Sequence, residues 1–81
     1  MDYSTYKHIS ITLRQFRIER GLSQQEVAHL LQLKNNTLIS RWENGISFPT
    51  LINLIKLCGV YKVTLADFFD SLTSDSWSKN I

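Results

Sequence analysis

The segment from Leu33 to Gly45, LKNNTLISRWENG, gathers polar side chains that can hydrogen-bond to the edges of DNA bases. An asparagine amide can both donate to and accept from adenine, and an arginine guanidinium can make two parallel bonds to guanine. Serine and threonine hydroxyls can bond to several base edges. If the segment is helical, Ile39 and Trp42 face the opposite side, where they would pack into a core. The residues predicted to contact bases are Asn36, Thr37, Ser40 and Arg41.

The same segment also has a purely structural explanation. Asn35, Asn36 and Thr37 are residue types that begin helices, and Arg41 could be a solvated charge. The segment by itself does not separate the two interpretations.

Residues that could carry catalysis or bind a metal are few and scattered. His8 and His29 are far apart in sequence and lack the spacing of metal ligands. Cys58 lies among apolar residues, as a buried thiol does, and no nucleophile has an obvious base. We therefore expect neither an enzyme nor a metal or cofactor site, and no small-molecule ligand is evident.

Length and charge limit the number of domains and the kinds of partner that the chain can have. The chain has 81 residues, 43% of them hydrophobic and 20% charged, which allows one domain with a modest core. The formal net charge is only +2, and nearly all of the excess precedes residue 50, so a polyanion could bind the first half of the chain. The N-terminus, MDYSTYKHIS, has no long apolar run. We expect a cytoplasmic protein without a membrane segment.

Apolar residues recur every three or four positions rather than every two, which predicts an all-α fold of five short helices. Gly21 ends the first helix, and Ser23 with Glu26 forms a capping box that starts the second. Asn35 is the predicted N-cap of the third helix, and Gly45 ends that helix in the left-handed conformation. The residues predicted to face the core from these helices are Ile9, Leu13, Phe16, Val27, Ala28, Leu31, Ile39 and Trp42.

Two further helices follow. Pro49 and Thr50 begin the fourth. Thr64, followed by Asp67, begins the fifth, which is expected to end near residue 69 or 70. The fourth helix is predicted to bury Leu51, Leu54, Ile55, Cys58 and Tyr61.

The stretch from Arg17 to Pro49 resembles the helix-turn-helix domain of the Cro and cI repressor class, the XRE family. The matching residues are Arg17, Gly21, Leu22, Ser23, Gln24, Glu26, Val27, Ala28, Ile39, Ser40, Glu43, Gly45 and Pro49. The later stretch LINLIKLCGVYKVTLADFF resembles the fourth and fifth helices of the family. The resemblance implies a lambda-repressor-like domain at residues 9–70, with the helix-turn-helix at about 23–43. An N-terminal extension would occupy residues 1–8, and a C-terminal tail residues 71–81.

The resemblance also implies a role for each part of the motif. The second helix would lie across the DNA backbone, and the third, at about residues 35–43, would enter the major groove. The four residues named above fall on base-reading positions, with Ser40 between reading and positioning. Arg17 and Glu43 fall on a structural ion pair of the family. The residues expected at the DNA backbone are Gln24, Gln25, Lys34, Asn35 and Asn44.

The turn between the second and third helices departs from the family pattern. Gln32 stands where the family usually has glycine, and the segment LLQLKNN is one residue longer than usual. The register of the third helix could therefore be shifted by one position. In that case Asn35 rather than Asn36 leads into the groove, and Leu38 could touch a thymine methyl group.

A single helix reads few base pairs, so useful affinity calls for two copies. We expect a homodimer, acting as a transcriptional regulator and most simply a repressor, on a pseudo-palindromic operator with half-sites about 34 Å apart or a multiple of that distance. Apolar residues outside the core stripes agree with a dimer, although a tighter core would also explain them; they are Ile18, Leu30, Ile52, Val60, Phe69 and Trp77. The fifth helix and the tail with Trp77 are the expected dimer surface.

The alternative function is an antitoxin that mainly binds a partner protein, with autoregulation at DNA as a secondary role. The short tail leaves little room for a segment that wraps a toxin, which argues mildly against this alternative.

Overall fold

Five α-helices follow one another along residues 3–73, the part of the chain that the computed structural model describes, with side chains described for residues 6–72. They are α1 (Tyr3–Glu19), α2 (Gln24–Leu30), α3 (Thr37–Glu43), α4 (Leu51–Tyr61) and α5 (Leu65–Thr73). Over this range there is no β-strand, so the predicted all-α fold is confirmed. α1 packs against α3 and α5, α2 packs against α3, and α4 packs against α5.

Local capping interactions begin and end several of these helices where the sequence predicts them. Ser23 Oγ accepts a hydrogen bond from the backbone N–H of Glu26 at 3.0 Å, and the Glu26 carboxylate accepts one from the N–H of Ser23 at 2.8 Å. The backbone bond from Ser23 lowers the pKa of Glu26. Thr64 and Asp67 make the same reciprocal pair, at 2.9 and 3.1 Å, at the start of α5. Gly45 follows α3 with a φ of 71°, in the left-handed region that favours glycine.

Two helices are longer than the sequence predicts. α1 begins at Tyr3, so residues 3–8 continue the helix instead of forming an extension. The ring of Tyr6 stacks on that of Phe48 with centroids 4.5 Å apart, and this long-range contact cannot be read from spacing within one helix. α5 continues to Thr73, past the predicted end near residue 69 or 70. Residues 74–81, and with them Trp77, lie outside the described residues.

The core contains side chains from every helix. All of the inward-facing residues predicted for α2 and α3 are buried, and so is Leu13, whereas Ile9 and Phe16 are partly buried. Full burial of one large apolar side chain stabilises the folded state by about 1.5–3 kcal/mol. The buried apolar residues are Leu13, Val27, Ala28, Leu31, Ile39, Trp42, Leu57, Cys58, Tyr61 and Phe68.

The buried side of α4 differs from the prediction. Leu51 and Ile55, expected in the core, are 65% and 51% exposed, whereas Leu57 is 1% exposed. Cys58 and Tyr61 are buried as expected. Because most residues of α4 are apolar, spacing alone allows several neighbouring stripes to face inward, and packing against the other helices selects one of them.

No helix in the described part of the chain has the length and apolar character needed to cross a membrane. Among the same residues there is no group of three His, Cys, Asp or Glu side chains that could hold a metal ion.

Candidate nucleic-acid interface

The short helix α3 has two different sides. Ile39 and Trp42 are 1% and 3% exposed and anchor the helix in the core. Thr37 and Arg41, one turn apart, are exposed on the opposite side. The helix therefore offers a hydroxyl and a guanidinium to solvent from a backbone that is held rigidly by its buried side.

Asn36 and Ser40 lie towards the edge of this outward side and are half-buried. Asn44 Nδ2 donates to the backbone oxygen of Ser40 at 2.8 Å and to Ser40 Oγ at 3.3 Å. The backbone N–H of Asn44 also donates to the backbone oxygen of Ser40, at 3.0 Å. The structure thus directs Asn44 back towards α3, and a contact from its amide to phosphate would require these side-chain bonds to be exchanged.

The turn that leads into α3 is closed by Gln32 in a left-handed conformation, with a φ of 61°. The N–H of Gln32 donates to the carbonyl of His29 at 3.0 Å, and the N–H of Leu33 donates to that of Ala28 at 2.9 Å. This pair of bonds is a Schellman motif, which usually has glycine at the position of Gln32. Gln32 therefore occupies the conformation that its glycine counterpart in the family pattern would adopt.

α3 starts slightly later than predicted. Its N-cap position is Asn36, whose side chain makes no capping bond, and not Asn35. Asn35 Oδ1 instead accepts from the backbone N–H of Thr37 at 3.0 Å and orders the turn. Lys34 and Asn35 are exposed next to it. Leu38, the residue that the shifted register would bring towards a thymine methyl, is 39% exposed.

The Glu43 carboxylate connects three helices. Arg17 Nε donates to Glu43 Oε2 at 2.7 Å, and Arg17 Nη2 donates to Oε1 at 3.0 Å. Gln24 Nε2 donates to the same Oε1 at 3.0 Å, while Arg17 Nη1 donates to the backbone oxygen of Leu22 at 2.9 Å. The two side chains of the ion pair are 13% and 3% exposed. The structure therefore joins the two residues expected to pair and adds Gln24, whose part in the cluster the sequence did not indicate.

This cluster has electrostatic consequences. The hydrogen bond to Glu43 raises the pKa of Arg17, so the guanidinium stays charged. A buried carboxylate needs such partners, because an uncompensated charge away from water is costly. Gln24, the first residue of α2, has its amide oriented by Glu43, and its nitrogen carries a second N–H. Gln25 is exposed beside it.

Lys7 lies next to this surface and was not among the predicted site residues. Together with Ser10, Asn44 and Gly45 it lines a cleft of about 200 Å³ between α1 and the end of α3. The sequence pattern predicts that residue 7 belongs to an N-terminal extension outside the helical domain. The sequence does contain one indication of this position. Ser10 and Arg17 are seven residues apart, which puts both on the side of α1 that faces α3.

Two short helices joined by a tight turn, the second with a polar side open to solvent, make this a helix-turn-helix protein. The family model described as helix-turn-helix matches residues 13–68, and the chain belongs to that family. The resemblance to XRE-family regulators of the Cro and cI class is thereby confirmed.

A curated relative of this chain is described as a transcriptional repressor. The chain is 37% identical over 67 residues to the cryptic phage CTXphi transcriptional repressor RstR of Vibrio cholerae. That match covers 83% of this chain and 56% of RstR, so the chain spans little more than half the length of that relative. None of the comparisons supports the antitoxin alternative.

Solved structures support the same fold. Two crystal structures of the clp gene regulator ClgR of Corynebacterium glutamicum match with TM-scores of 0.78 and 0.77, both at 20% identity. The matches cover 86% of this chain in each case, and 73% and 88% of the two ClgR chains.

Proposed function

We propose that this chain is a transcriptional repressor that recognises a specific double-stranded DNA site through α3. The observation that carries the proposal is the two-sided α3, whose outward residues Thr37 and Arg41 are exposed while Ile39 and Trp42 are buried. RstR, the relative named above, is described as a transcriptional repressor, which supports repression rather than activation.

Base recognition would use the outward side of α3. Arg41 can make a bidentate contact to guanine O6 and N7, and Asn36 can do the same to adenine N6 and N7. The hydroxyls of Thr37 and Ser40 would complete the contact. Because Ser40 Oγ accepts a hydrogen bond from Asn44, its own proton is free to be donated to an acceptor on the DNA.

Contacts to the DNA backbone would fix the register of α3 without reading sequence. Gln24 is the best placed, because Glu43 orients its amide while leaving the second N–H of Nε2 available. Exposed side chains nearby would add further contacts. The other residues proposed to contact the backbone are Gln25, Lys34, Asn35 and Asn44.

Selection of binding sites from random duplexes tests this function. We expect a preferred sequence with two related half-sites whose centres are about 34 Å, or a multiple of that distance, apart. Arg41→Ala should relax the preference at one base pair and cost about 1–3 kcal/mol on the selected site, with less effect on unrelated DNA. Gln24→Ala should weaken binding to all duplexes alike.

The matched control is Lys56→Ala, which removes an exposed side chain from α4, where it lines a groove with Leu30 and Val60. This variant should bind DNA like the unmodified protein. If the three variants Asn36→Ala, Thr37→Ala and Arg41→Ala each reduced binding equally on every sequence, α3 would not be the reading element.

We also propose that the protein acts as a homodimer, with α5 at the contact between subunits. Ile18, Leu30, Ile52 and Phe69 each remain at least half exposed, and Val60 is half-buried. Sedimentation equilibrium with Phe69→Glu should show weaker association than the unmodified protein. Ile46→Glu, which changes a 61% exposed apolar side chain in the loop after α3, is the control and should leave association unchanged; the opposite result would place the contact beside α3.

A further inference from the structure

We propose that α1 provides a second contact with the DNA backbone through its basic edge, defined as the exposed residues Lys7 and Arg14. The inference rests on the proposed function, because it assumes that α3 lies in the major groove. The partner surface is the phosphate backbone beside the end of α3, and the contact would add affinity without reading sequence.

The N-terminal part of α1 is held beside the loop that follows α3. Tyr6 stacks on Phe48 of that loop, with the ring planes 23° apart. Ser10 is 5% exposed, and its hydroxyl donates to the backbone oxygen of Lys7 at 2.8 Å. A Cβ atom placed on Gly45 would lie 3.6 Å from Ser10 Oγ, so this turn of α1 is in contact with the end of α3.

Helix geometry places the basic edge next to these contacts. Ser10 faces Gly45, and Arg17, seven residues later, faces Glu43, so one side of α1 runs along the end of α3. Lys7 and Arg14 are also seven residues apart and lie on the neighbouring strip, separated along the axis by about 10 Å. Both side chains are exposed.

The charge of this edge is available to a ligand. Within residues 6–72 the ion pair between Arg17 and Glu43 is the one salt bridge present, so neither Lys7 nor Arg14 is paired with a carboxylate. The negative charge of Glu43 is already compensated by Arg17. Two unpaired cations on a rigid helix, beside the cleft that Lys7 shares with Asn44, suit a duplex that presents one phosphate per 3.4 Å along each strand.

The test measures how DNA affinity depends on salt concentration. Each lost phosphate contact reduces the slope of log K against log salt by about 0.9. Each variant loses one contact per subunit, and so two contacts in the proposed homodimer, which lowers the slope by about 1.8. For Lys7→Ala and for Arg14→Ala, the affinity ratio of unmodified protein to variant should therefore shrink about 12-fold between 50 and 200 mM salt. The reduction should be the same on the selected duplex and on an unrelated one. Lys56→Ala, which removes the same charge from α4, should keep the full slope.

A further variant tests whether the position of α1, and not only its charge, is needed for the contact with phosphate. Tyr6→Ala removes the stack on Phe48 without changing charge, and it should lower the slope as Lys7→Ala does, because the first turns of α1 would lose their position. Thermal unfolding of each variant should show that Lys7→Ala and Arg14→Ala leave the Tm nearly unchanged.

The possible results distinguish a failure of the proposed function from a failure of the α1 contact alone. If the unmodified protein binds no duplex, the proposed function itself fails. If the unmodified protein binds but both alanine variants keep its salt slope, the basic edge is not a DNA contact and this inference alone is overturned. A lower Tm with an unchanged slope for Lys7→Ala would also overturn it, since Lys7 would then act on the carboxyl end of α3.

Discussion

Removal of Arg17 is the sharpest test of how this domain is held together. Arg17→Met keeps most of the side-chain volume but deletes two of the three hydrogen bonds that the Glu43 carboxylate accepts. Glu43 is 3% exposed at its side chain, so water cannot readily replace the lost donors. Breaking a buried pair by removing one partner typically costs about 3–5 kcal/mol. Because Gln24 remains as a donor, we expect about 3 kcal/mol.

That loss is large for a chain of this size. Native domains are stable by about 0.05–0.15 kcal/mol per residue, which for 81 residues is about 4–12 kcal/mol. A change of 3 kcal/mol should lower the Tm by more than about 10 °C. Urea and thermal unfolding followed by circular dichroism measure both quantities. Arg14→Met is the matched control on the same helix, and its exposed side chain should contribute less than about 0.5 kcal/mol.

The double variant Arg17→Met with Glu43→Leu tests whether the stability lost in Arg17→Met comes from the unpaired charge of Glu43 or from lost packing. It leaves no buried carboxylate without its partner, so it should regain at least half of the stability that Arg17→Met loses. A loss below about 1 kcal/mol for Arg17→Met would refute the reasoning. So would a double variant that is no more stable than the single one.

Three further predictions concern stability and reactivity. Gln32→Gly and Lys62→Gly should each stabilise the fold by about 0.5–1 kcal/mol, as measured by urea unfolding. Both residues have a φ of 61°, a conformation that glycine adopts without strain. Destabilisation by both changes would contradict this prediction. The pKa of Glu26 is lowered in the folded state by the bond from Ser23, so its contribution to stability is lost as the pH falls below the ordinary value of 4.5. Glu26→Gln should therefore flatten the acid side of a stability profile, and an unchanged acid limb would count against the capping box. Cys58 is buried and burial raises the pKa of its thiol, so a thiol reagent should react with it only after denaturant is added, whereas rapid labelling of the native protein would show the core to be open.

The helices and their caps were largely predictable because their signals are local. Ser23 and Glu26, or Thr64 and Asp67, are three residues apart, and each pair satisfies its own helix start whatever the rest of the chain does. The core of α2 and α3 was predictable for a similar reason. Apolar residues on an otherwise polar helix leave one choice of inward side.

The candidate site was predictable in its residue types but not in its geometry. The polar side of α3 follows from the order of Thr37, Ile39, Arg41 and Trp42 along the chain. The bond from Gln24 to Glu43 does not, because it joins two helices through a side-chain orientation that no sequence spacing describes.

The sequence by itself determined the helix-turn-helix class, most of the helix caps and the two-sided character of α3, because each depends on residues within a few turns of one another. Tertiary structure decided which stripe of α4 is buried and that α1 begins at Tyr3, next to the loop after α3. It also decided that one buried carboxylate orients Gln24. These features depend on contacts between residues distant in the chain, where the free energy of packing selects among arrangements that local patterns allow equally.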